Sequence, residues 1–191
     1  MRNKIAILIV AVLTAASAAW GTVVFFPKAS GGSTSEYILG TEWVSDGTSW
    51  GSSTVVRGNT FTTDSTGGTL TKLCVRIHTY NSSHPDVKVG IYATSSGAPT
   101  GNPLAQVTIT TTSTGNICGS ISGGPNLSAT TDYYVGVLSS TGDTKYGYKS
   151  STGENAYYKD SSAYSSEFTS PAGTYSHTAD RLWAVWGVYE H

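Results

Sequence analysis

From Thr69 to Tyr80 the side chains alternate with period two: Leu73, Val75 and Ile77 recur on one side, and Lys72, Cys74, Arg76 and His78 on the other. A helix would scatter this apolar set around its circumference, so the segment reads as a strand with one face in a core and the other in solvent. Val87, Val89 and Ile91 repeat the pattern after a turn at Ser82 to Pro85. Val107 and Ile109 do so after a turn predicted over Gly97 to Pro103, and Tyr133, Val135 and Val137 within Asp132 to Ser139. Ile117 and Ile121 face in, with Asn116, Cys118 and Ser120 facing out. Lys145 to Tyr148 and Ala156 to Lys159 give shorter strands. Arg181 to Tyr189 is apolar on both sides and reads as a central strand whose Trp183 and Trp186 enter the core from opposite faces. Gly, Pro, Asn, Asp and Ser punctuate these segments, and no helical period occurs after Glu36.

About eight to ten strands without helical crossovers predict an all-β domain over residues 36–191, an antiparallel two-sheet sandwich of jelly-roll type. A chain of 191 residues has room for one such core.

One stretch breaks the pattern. Ile5 to Phe26 carries no charge, has Arg2 and Lys4 before it and Pro27 after it, and predicts a hydrophobic helix over residues 1–26. Its large apolar side chains are Ile5, Ile7, Leu8, Ile9, Val10, Val12, Leu13, Trp20, Val23, Val24, Phe25 and Phe26. About 20 such residues at ~1.5 Å each cross a bilayer. Two readings stay open: a secretory signal cleaved after Ala16-Ser17-Ala18, or a retained anchor with its basic end cytoplasmic. Either one exports the rest of the chain, to an extracellular or cell-surface location. Residues 27–35, PKASGGSTS, form a Gly/Ser linker. Outside the membrane the segment needs a partner, as a helix in a bundle or as a strand from Trp20 to Phe26 in the open sheet of another copy; Pro27 and the linker favour the helix.

Charged residues are 12% of the chain, the net charge is −1, and no basic cluster occurs beyond the N-terminus, which argues against nucleic-acid binding. Aromatic residues at 11% and sustained alternation argue for an ordered domain despite the Ser, Thr and Gly content. Cys74 and Cys118 sit on the outward sides of their strands and predict a disulfide between neighbours. Asn81-Ser82-Ser83 and Asn126-Leu127-Ser128 are glycosylation sequons.

Catalytic and metal patterns are weak. His78, His84, His177 and His191 have no metal-ligand spacing, there is no G-x-S-x-G elbow, and the 12 carboxylates are scattered without an Asp-x-Asp-x-Asp run. The expectation is a non-enzyme without metal or cofactor. Trp43, Trp50, Tyr157 and Tyr158, with Tyr146, Tyr148 and Tyr164, stand in polar surroundings. They read either as a stacking platform for sugar rings, with a glycan as ligand, or as packing at the sandwich ends or against a neighbouring subunit.

Residues 87–110 (VKVGIYATSSGAPTGNPLAQVTIT), 127–140 (LSATTDYYVGVLSS) and 180–190 (DRLWAVWGVYE) together resemble β-sandwich modules that recur in exported surface proteins. That resemblance implies the fold and says little of activity. The overall plan, a short basic leader, an Ala/Ser-rich apolar helix ending in aromatics, and a Ser/Thr/Gly-rich β-head, resembles archaeal type IV pilins. It departs from them at Lys4-Ile5, where that family carries Gly or Ala after the basic residue. The pilin resemblance implies a helix held in the membrane before assembly and in a filament core afterwards, hence self-assembly into a homopolymer. The expected function is a non-enzymatic structural subunit of an extracellular filament or an adhesive surface protein. The alternative is a secreted carbohydrate-binding module, and the third a membrane-anchored surface enzyme.

Overall fold

The computed structural model describes residues 35–41, 48–150, 156–159, 175–178 and 181–191. The apolar segment Ile5 to Phe26, most of the linker, Trp43, Tyr164 and the side chain of Tyr158 lie outside that description.

The described residues form strands β1 (Glu36–Gly40), β2 (Thr48–Trp50), β3 (Val56–Thr62), β4 (Gly68–Thr79), β5 (Asp86–Ser95), β6 (Ala98–Thr110) and β7 (Gly115–Ser120). They continue with β8 (Asn126–Leu127), β9 (Asp132–Ser139), β10 (Lys145–Ser150), β11 (Ala156–Lys159), β12 (Ser176–Thr178), β13 (Arg181–Trp183) and β14 (Val185–Glu190). All pairings among them are antiparallel, in two sheets. In the first sheet β14 lies between β1 and β4, and β7 pairs the far side of β4. In the second the order is β12-β11-β3-β9-β5-β6.

The alternation in β4 does what its period demands: Leu73, Val75 and Ile77 are buried in the shared core, facing Val87, Val89 and Ile91 of β5 and Val135 and Val137 of β9. The polar half of the expectation needs correction at Cys74, which is 0% exposed although it points away from that core. It packs with Trp186, Val188 and Ile38 in a second apolar cluster on the outer face of the first sheet. Period two fixes which residues share a face, and leaves open whether something covers it.

Arg181 to Tyr189 is two strands rather than one. At Ala184 the ladder changes partner: the Ala184 amide donates to Gly147 O of β10, while its carbonyl accepts from the Arg76 amide of β4. The turn expected over Gly97 to Pro103 is also displaced. The chain reverses at Ser96-Gly97, with φ of 51° and 81°, the positive pair that a two-residue hairpin requires. Residues 98–103 belong to β6, and the residues between Thr100 and Ala105 are absorbed as a bulge opposite Tyr92.

The outer face of the second sheet is covered too. Gly58, Gly136 and Gly90 lie in register across β3, β9 and β5, forming a side-chain-free furrow. Tyr134 lies over it, so that a Cβ on Gly136 would come within 2.7 Å of the Tyr134 ring. Tyr92, Tyr157 and Tyr175 pack around Tyr134, and the Tyr134 hydroxyl donates to Tyr157 O at 3.1 Å. Burial pushes the Tyr134 and Tyr92 phenols well above their ordinary range, and lifts Tyr175 and Tyr189 to about 12. The unfolded chain ionises these groups near pH 10 and the folded chain does not, so stability is intact below pH 10 and falls as pH rises toward 12. The expected slope is about 1.4 kcal/mol per pH unit for each phenol held protonated, measured by urea unfolding at successive alkaline pH values. A midpoint that stays flat from pH 9 to 12 would contradict the burial of these phenols, Tyr92, Tyr134 and Tyr175 in this layer and Tyr189 in the shared core.

Candidate functional site

Rings and guanidinium groups from the two sheets meet in one cluster. β2 pairs with β10 so that Trp50 lies opposite Tyr146 and Thr48 opposite Tyr148. On the other side of β10, Tyr148 lies opposite Trp183 of β13. The second sheet supplies Arg57 and Asn59, which share with core residue Phe61 the inward side of β3.

Asn59 is 1% exposed and joins the sheets: its Oδ1 accepts from the Trp183 amide at 2.7 Å and its Nδ2 donates to Arg181 O at 3.0 Å. A buried amide is tolerated only when its hydrogen bonds are made, and here both are made to backbone that would otherwise lack partners. Asn59→Leu is therefore expected to lower stability by about 2–4 kcal/mol, one buried bond at each end of the amide being lost, as read from the urea midpoint. An unchanged midpoint would show that β13 is held by other contacts.

Around this clamp the rings and cations interleave. The Arg57 guanidinium carbon lies 4.6 Å from the centre of Trp50 and 5.5 Å from that of Trp183. Arg181 lies 5.0 Å from Tyr148 and 6.0 Å from Trp183. Tyr148 and Tyr146 approach Trp183 at 4.8 and 5.6 Å between centroids. Trp183 and Tyr146 are fully buried, while Trp50, at 38% exposure, forms the rim. The Tyr146 hydroxyl and the Trp183 indole Nε1 are buried without a hydrogen-bond partner among the described residues. A buried donor left without an acceptor costs about 1–3 kcal/mol. Burial pushes the Tyr146 phenol well above its ordinary range. Lys72–Glu36 and His84–Asp143 form ion pairs outside this cluster.

The residues singled out in the sequence are divided by the fold. Trp50, Tyr146 and Tyr148 lie together on the paired strands β2 and β10. Tyr157 stands on the outer face of the second sheet, opposite Gly58, against Tyr134 and His177. Asn81 is half-buried at a turn, its Oδ1 accepting from the Ser83 amide, and Asn126 is exposed in β8. Cys74 and Cys118 are directly opposed on β4 and β7 and form a disulfide, with Cα atoms 4.0 Å apart. The bridge is compatible with an extracellular or otherwise oxidising compartment. Among the described residues no three His, Cys, Asp or Glu side chains converge as for a metal. Arg57, Asn59 and Arg181 were not legible as site residues. The one trace of them is Asn59 itself, an amide at an inward position of a strand.

Compared with protein-family models, with curated proteins and with solved structures, the chain has no significant match to any.

Proposed function

We propose that this chain is a non-enzymatic structural subunit of an extracellular filament or adhesive surface, with a jelly-roll head over residues 36–191 displayed by the hydrophobic segment 1–26. The wiring of the head supports the jelly-roll reading: the rows β1-β14-β4-β7 and β3-β9-β5-β6 result from a chain that passes repeatedly between the sheets.

The observation that carries the assembly reading is the position of β1. It opens at Glu36, directly after the Gly/Ser linker, as an edge strand paired only through β14 in the order of its sheet. The described chain thus begins on a margin strand of its sheet, where a tether can attach. Burying some ten large apolar side chains of Ile5 to Phe26 between copies would contribute roughly 15–30 kcal/mol before ordering costs. The membrane holds the segment before assembly.

Val10→Asp and Ala16→Asp are expected to abolish filaments in electron micrographs while the head keeps its circular dichroism spectrum. Mass spectrometry of exported protein fixes the mature N-terminus and separates an assembly defect from an export defect. Filaments of normal length from either variant, or an exported chain that begins after Phe26, would refute assembly through this segment.

A further inference from the structure

We infer that Asn126 is a site of N-linked glycosylation, carrying its glycan on Nδ2 at the surface of the folded head, and that the second sequon, at Asn81, stays bare. Asn126-Leu127-Ser128 has the acceptor pattern, and its place in the fold suits the reaction. Side chains alternate along an extended chain, and here Leu127 is 1% exposed in the shared core while Asn126 and Ser128 on either side of it are exposed. The backbone is held on β4, with Asn126 opposite Thr69 and Leu127 opposite Gly68. The Ser128 amide donates to the Tyr133 hydroxyl at 2.9 Å, and the Ser128 carbonyl accepts from Thr63 Oγ1 at 2.6 Å. Neither the Asn126 nor the Ser128 side chain enters a hydrogen bond among the described residues. A sugar on Asn126 Nδ2 therefore displaces no hydrogen bond of the head and stands in water, where a bulky solvated group is accommodated.

The step exchanges one bond at the anomeric carbon of a lipid-linked sugar phosphate, the donor a glycosyl transferase of the export route would use. The C1–O bond to phosphate breaks and the phosphate keeps the electron pair. The C1–Nδ2 bond forms, and the amide proton passes to a base of the transferase. The Ser128 hydroxyl, two residues on, is the group by which such an enzyme reads the tripeptide.

Asn81-Ser82-Ser83 has the same pattern in a different setting. Asn81 is half-buried in the turn between β4 and β5, and its Oδ1 accepts from the Ser83 amide at 2.9 Å. Its own amide donates to Thr144 Oγ1 at 3.3 Å, and its carbonyl accepts from the His84 amide at 3.1 Å. This side chain is part of the turn, so extending the tripeptide for transfer would cost all three bonds.

The inference rests on export of the head, which the filament reading shares, and on nothing in its assembly. The test is peptide mapping by mass spectrometry of the full chain recovered from the surface of the cells that produce it. A glycan mass is expected on the peptide containing Asn126 and none on the peptide containing Asn81. Asn126→Gln and Ser128→Ala are each expected to abolish that mass, whereas Ser128→Thr, which keeps the hydroxyl, retains it. All three positions changed are exposed side chains without hydrogen bonds, so the variants are expected to melt with the unglycosylated wild-type chain. A bare Asn126 in the wild-type protein, a glycan on Asn81 in its place, or an adduct that persists in Ser128→Ala would overturn the proposal. The readout on wild-type protein is a mass at one residue and does not depend on whether filaments form.

Discussion

Replacing Cys74 and Cys118 together by Ala is expected to lower the stability of the head by about 4 kcal/mol, since the bridge closes 44 residues of chain and removes their loop-closure entropy from the unfolded state. In a domain of this size that corresponds to roughly 8–16 °C in melting temperature. The residues between the two cysteines include β5 and β6, so opening the bridge frees a whole hairpin of the second sheet in the unfolded chain. Cys118 is exposed and its partner is not, so a reductant has access from one side and its effect should match that of the double variant. Calorimetry with and without reductant checks both. A loss under about 1 kcal/mol would show that the unfolded chain already keeps β4 and β7 close.

Gly58→Ala is expected to have a larger effect still, at least about 4 kcal/mol and loss of the near-ultraviolet dichroism of the aromatic layer. A Cβ at that position would fall 1.9 Å from the carbonyl oxygen of Val135 and 2.7 Å from the Cα of Gly136. Both are backbone atoms, so no side-chain rotation relieves the overlap, and β3 must move off β9 in the middle of the sheet. That shift would also displace Arg57 and Asn59, the neighbours of Gly58, from their contacts with Trp50, Arg181 and Trp183. Gly101→Ala is the control: at φ +67° in the bulge, with nothing within 4 Å of an added Cβ, it should cost only about 1–2 kcal/mol of backbone strain. Urea unfolding of the two variants side by side separates steric exclusion between strands from conformational preference in a turn. Equal losses would mean that the sheet yields at Gly58.

The alternation of Leu73, Val75 and Ile77, and of Val87, Val89 and Ile91, determined by itself that the head is built of strands and which side chains share a face. Side chains in a strand have no other period. The same local rule set Cys74 and Cys118 on matching sides and Trp183 and Trp186 on opposite ones. Whether an outward face meets water was decided only in three dimensions. Cys74 is hidden by Trp186 and Val188, and Tyr92 and Tyr134 by Tyr157 and Tyr175, through contacts between segments far apart in the chain. The cluster around Trp183 is the extreme case. Asn59 binds the backbone of Trp183 across 124 residues, and Trp50 meets Arg57 because β2 joins β10 in one sheet while β3 lies in the other. Periodicity is a property of neighbours along the chain, and this site is made by pairings that sequence spacing does not encode.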